Sequence, residues 1–150
     1  TRYYYSQEPP NRWALAVNGL TREEISARRG AARYPEHFRD DADMRSFIAS
    51  APLLVAHNAA FDLRFLRLGS ERRVFCTMKA ATPILGLRRA SGGLKYPSLL
   101  EAARHYRGGL QCARAHQSVC DACMASVVFA KMIGCSVSAE YRPCEASDTL

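Results

Sequence analysis

The stretch LLVAHNAAFDLRFL, residues 53–66, constrains this chain more than any other segment. Leu53 to Val55 form an apolar run, His57, Asn58 and Asp62 form a polar knot, and Leu63, Phe65 and Leu66 resume the apolar content. A short apolar run followed at once by an amphipathic segment predicts a strand over 53–57 and a helix over 60–68, stopped at Gly69. The polar trio then falls at the carboxyl end of a strand and in the opening turn of a helix. That position has two readings. Asn58 would cap the helix while Asp62 complements its positive end. Alternatively the three residues line a site, because open α/β sheets bind ligands where their strands end.

The remaining pattern supplies context for this unit. RYYY, residues 2–5, is β-prone and predicts a short strand, broken by the two prolines of SQEPPN. Thr21 with Glu24 three residues on predicts a capped helix start. Met44, Phe47 and Ile48 predict an amphipathic helix over 39–49, ending before Pro52, with Asp41 and Asp43 as capping residues at its polar start. Further on, 74–77 reads as a strand and 78–87 as a helix interrupted or started at Pro83. ASGGLKYP is a loop, 97–106 a helix ended by Gly108-Gly109, and 117–133 the longest helix. Strands separated by helices predict an α/β fold, as one domain over 1–134 and a tail over 135–150. Three strand candidates are fewer than the roughly 4–6 of a usual open sheet.

Composition narrows the function classes. An apolar fraction of 48% and a charged fraction of 23% are those of an ordinary globular protein. No apolar run approaches the roughly 18 residues of a membrane helix, and no leading segment reads as a signal peptide, so a cytoplasmic protein with no membrane partner is expected. The net charge is +7, with 18 Arg against 3 Lys. Such an excess favours polyanionic partners through counterion release, general solubility being the plain alternative. Of six cysteines, only Cys120 and Cys123 form a CxxC, and it lies in a helical segment. A structural zinc site would need a second such pair or a matching His pair, so buried free thiols are expected.

A second constellation bears on the first. AHQSVCDA, residues 115–122, places His116 at the start of the last helix and Asp121 five residues on. Burying the Asp121 carboxylate beside Val119 and Ala122 is costly unless a metal ion or a cationic side chain meets it. A surface Asp and a helix-capping His explain the same residues more simply.

Together, HNAAFD and, about 50 residues later, H-x4-D resemble the second and third motifs of the DnaQ-like 3'→5' exonucleases, the DEDDh group. WALAVNGLTREEI before them and FCTMKAATPIL with LKYPSLLEAARHY between them also look like that family, in matching order, over about residues 1–133. Gln117 stands where a Tyr-type relative carries Tyr, and His116 marks the His type. The resemblance implies a ribonuclease H-like fold, a mixed central sheet flanked by helices. It implies phosphodiester hydrolysis with two Mg²⁺ or Mn²⁺ ions about 4 Å apart. Asp62 and Asp121 would be metal ligands, His116 the general base, and Asn58 and Phe61 would hold the terminal nucleotide, Phe61 by stacking or else as core beside Phe65. The implied partners are single-stranded or frayed DNA 3' ends, with RNA as the alternative, and a DNA polymerase or another replication or repair protein.

One motif departs from the family. Its Asp-x-Glu pair on the first strand should precede GLTREEI, where only Glu8 lies, in a proline-rich turn with no Asp two positions before it. With the short strand inventory, this leads to the expectation of an incomplete exonuclease domain without its N-terminal β-hairpin, inactive as an isolated chain. A non-catalytic nucleic-acid-binding or scaffold domain derived from the same fold is the competing expectation, and an RNA-trimming exonuclease a further one.

Overall fold

A computed structural model describes residues 1–9, 11–67, 72–107 and 118–135. The chain divides into two compact units, Thr1–Ala51 and Pro52–Leu150. Among the described residues the architecture is mixed α/β, mostly helical, with one two-stranded parallel sheet.

The first unit holds helices α1 (Arg12–Asn18), α2 (Arg22–Arg29) and α3 (Ala42–Ser50), with a 3-10 turn over Phe38–Asp40 before the last. Asn11, Thr21 and Asp41 each accept backbone N–H groups that open a helix. Thr21 forms its half of the expected capping box, while Glu24 turns away to pair with Arg28 at 2.5 Å.

Residues 2–5 are not a strand, contrary to the expectation. One backbone bond, from the Tyr5 amide to the Glu36 carbonyl at 2.9 Å, and several side chains hold the segment in place of a ladder. The Tyr34 hydroxyl accepts from the Tyr3 amide at 2.8 Å, Arg29 donates to the Tyr3 carbonyl at 2.6 Å, and the His37 ring donates to the Tyr5 carbonyl at 3.0 Å. Arg29 also lies over the Tyr34 ring at 4.5 Å, and Arg22 over Tyr5 at 4.6 Å. Beneath this arrangement Asp41 is 1% exposed, held by Arg2 at 2.5 Å and the Tyr4 hydroxyl at 2.7 Å.

The second unit runs β1 (Leu54–Ala56), α4 (Ala59–Leu66), β2 (Val74–Cys76), α5 (Thr77–Leu85), α6 (Leu99–Arg107) and α7 (Ser118–Met132). β1 and β2 are parallel, with Leu54 opposite Val74, Val55 opposite Phe75 and Ala56 opposite Cys76. α4 is the crossover between them and packs on both strands, and α5 and α7 pack against β1. The core lies among α5, α6 and α7, where Ala81, Ala102 and Ala103 leave room for Met124 and Val128. Alanines at these contacts let the helix backbones approach closely.

Two local expectations change. α5 runs through Pro83 rather than breaking there and ends at Gly86, whose φ of 60° suits a left-handed cap. Cys120 is disulfide-bonded, so it is not the free thiol expected, whereas Cys76, Cys123 and Cys135 are free. The helix stops expected at Gly69 and at Gly108-Gly109, and the tail beyond Cys135, lie outside the described residues. Among the described residues no helix is long and apolar enough to cross a membrane.

Candidate functional site

The site is built where β1 ends. The chain leaves Ala56, passes through His57 and Asn58 and enters α4 at Ala59. Asn58 turns the corner in the left-handed region, φ 68° and ψ 51°, which Asn tolerates better than most residues. It occupies the N-cap position, yet its side chain makes no capping bond and is exposed to solvent. The capping explanation therefore accounts for the backbone of Asn58 and leaves its carboxamide unused.

His57 is committed on both ring nitrogens. Nε2 donates to the Pro97 carbonyl at 3.0 Å, and Nδ1 lies 3.0 Å from the Thr77 hydroxyl. Burial pushes the imidazole pKa below its ordinary value, although the Pro97 carbonyl and the charge of Asp62 oppose this. A neutral ring with its proton on Nε2 leaves Nδ1 to accept from Thr77, whose alternative acceptor is the Ala56 carbonyl at 3.3 Å. His57 thus ties β1, the start of α5 and the approach to α6 together, and its ring has no nitrogen left for a ligand.

Asp62 lies one turn into α4. Positions 59, 62, 63 and 66 form the helix's inner stripe, with Ala59 buried and the other three half-buried. Burial raises the Asp62 carboxyl above the usual carboxylate range, against the opposing effects of its own amide and of His57. Among the described residues no Arg or Lys pairs with it. The opposite stripe carries Phe61, Arg64 and Phe65. Phe61 is 59% exposed and Phe65 56%, with ring centroids 4.9 Å apart. Phe61 is therefore no core residue.

Asp121 is half-buried in the first turn of α7, the helix that packs against β1. His116 and Gln117 lie outside the described residues. The structure thus groups Asn58, Phe61 and Asp62 at the start of α4 and sets Asp121 on a helix that shares the same strand.

Carboxylates are the right donors for Mg²⁺ or Mn²⁺, which take oxygen ligands. Among the described residues, however, no three His, Cys, Asp or Glu side chains gather to hold a metal ion. The donor type fits; the number of donors described does not close a metal site.

Cys76, at the end of β2, was not singled out by sequence reasoning. Burial would raise its thiol pKa, but the backbone amides of Lys79, Ala59, Asn58 and Met78 outweigh it and bring the pKa below the ordinary value. These amides belong to the openings of α4 and α5. The only sequence signal is a Cys directly before a helix start. No protein-family model, curated protein or solved structure matches the chain.

Proposed function

We propose that this chain carries the second and third motifs of a DnaQ-like 3'→5' exonuclease with a ribonuclease H-like fold, acting on single-stranded or frayed 3' ends of DNA. One observation carries this reading: Asp62 is a half-buried carboxylate with no cationic side chain paired to it among the described residues, in the first turn of the helix that follows a parallel strand. An acidic group kept partly from water without a counter-charge is suited to receive a cation from outside the chain.

In this reading Asp62 and Asp121 present oxygen donors, and His116 takes a proton from the attacking water. The exposed Asn58 carboxamide and Phe61 ring hold the terminal nucleotide. Two divalent cations, when bound, supply charge stabilisation to the attacking and leaving oxygens. The family's remaining carboxylate pair does not occur in its expected order within these 150 residues.

The coding sequence upstream of Thr1 provides a direct check, through an in-frame Asp-x-Glu on a β-prone run. A protein that includes such a pair should release mononucleotides from a 3'-labelled single strand in a Mg²⁺-dependent way. Asp62→Asn, Asp121→Asn and His116→Ala should each slow that release by about 100-fold or more. Full activity in any of the three would overturn the assigned roles. A non-catalytic nucleic-acid-binding domain is the second reading, supported by the exposed Phe61–Phe65 pair, which serves binding without hydrolysis.

A further inference from the structure

Among the described residues, the outer stripe of α4 has no structural task that explains its composition. Two large aromatic side chains on a surface helix, each more than half exposed, forgo the burial that ordinarily places Phe in a core. They stand one turn apart with rings in contact at a 58° tilt, so each supports the other's orientation while more than half of each residue stays exposed. Arg64 lies on the same stripe, and no acidic side chain among the described residues pairs with it.

From this arrangement we infer that Phe61, Arg64 and Phe65 form a stacking surface for single-stranded nucleic acid, with bases on the rings and a phosphate at the guanidinium. The inference rests on the nucleic-acid part of the proposal above and is independent of hydrolysis. Charge complementarity selects this occupant. The apolar rings are interleaved with a cation that no described acidic side chain pairs, on a chain of net charge +7, which suits a polyanion with exposed π-faces. A purely apolar partner would leave Arg64 to be desolvated without compensation.

Helical geometry adds a direction. At about 100° per residue, Asp62 lies only about 60° around the helix from Phe65. The ring pair therefore flanks the half-buried carboxylate on its solvent side. Phe65 and Arg64 extend the substrate contact beyond the terminal nucleotide that Phe61 was expected to hold.

The test uses the full chain and a fluorescein-labelled 12-nucleotide oligo-dT, read by anisotropy at several salt concentrations. Phe61→Ala/Phe65→Ala should weaken binding at least tenfold with an unchanged salt slope. Phe61→Leu/Phe65→Leu, which keeps the apolar character, should weaken it nearly as much, because aliphatic side chains do not stack. Arg64→Ala should weaken binding and lower the slope by about 0.7. All three positions are exposed, so the variants should keep the wild-type melting temperature. Wild-type affinity in both double variants would overturn the stacking surface while leaving nucleic-acid binding intact. A wild-type chain that ignores the oligonucleotide would overturn both. Loss of self-association in the double variants with unchanged oligonucleotide binding would assign the face to a second copy of the chain instead.

Discussion

His57 Nε2 donates a 3.0 Å hydrogen bond to the carbonyl of Pro97, closing a span of 40 residues between the end of β1 and the approach to α6. Pro97 is fully buried, so its carbonyl has little access to water as a substitute partner. The bond places the corner containing Asn58 and Asp62 on a fixed base, because the same ring also meets Thr77 at the start of α5.

His57→Ala should therefore destabilise the second unit by about 2 kcal/mol, most of it from the orphaned carbonyl. His57→Gln, whose amide nitrogen reaches roughly as far as Nε2, should recover about half of that. The pH dependence has a definite sign. The folded pKa is depressed by burial, so the contribution of His57 is complete above the unfolded value of about 6.5 and declines as pH falls towards the folded one. Denaturant melts of wild type and His57→Gln between pH 8 and pH 4 should show a gap that narrows below pH 6.5. A constant gap would remove the linkage.

The buried Asp41 gives the first unit the same kind of test at lower pH. The Met44 amide, followed by the Tyr4 hydroxyl and Arg2, holds its carboxyl at about 2, with burial opposing them. A depressed carboxylate pKa stabilises the fold above the unfolded value near 3.8, and that contribution is lost as pH falls through about 2. Wild type should lose more stability than Asp41→Asn between pH 4 and pH 2. The Asp41 carboxyl resonance should titrate near 2, and a midpoint near 3.8 would refute the assignment.

Which parts of this were legible in the sequence depends on how far apart the cooperating groups lie. β1 and α4 were read nearly to their ends, because Leu53 to Leu66 carries its periodicity locally. RYYY misled for the opposite reason. Tyrosines are β-prone, yet the bonds that fix residues 2–5 come from the side chains of Arg29, Tyr34 and His37 and the Glu36 carbonyl, which no local pattern announces. α1 gave no helical period because residues 13–17 are apolar without interruption, so no polar face marks a stripe. At the site, the positions of Asn58 and Asp62 followed from the strand-to-helix junction. The engagement of both His57 nitrogens did not, since Thr77 and Pro97 lie 20 and 40 residues away. The outward face of Phe61 and Phe65 was equally hidden, because a helical spacing identifies a stripe without saying which side meets the sheet.

Asn58 separates backbone from side chain in a way that bears directly on function. Its φ of 68° is a conformation that Gly adopts freely and Ala adopts at a cost of about 1 kcal/mol. Its carboxamide makes no capping bond, so removing the side chain costs no helix contact. Asn58→Gly should therefore melt close to wild type, while Asn58→Ala should lose about 1 kcal/mol relative to Gly. If the carboxamide holds a 3' nucleotide, both variants should lose affinity for a short 3'-terminal oligonucleotide by a similar factor, whatever their stabilities. Equal melting of the Ala and Gly variants would show that the corner does not demand left-handed backbone. Wild-type oligonucleotide affinity in Asn58→Gly would show that the side chain serves no ligand, leaving Asn58 as a turn residue alone.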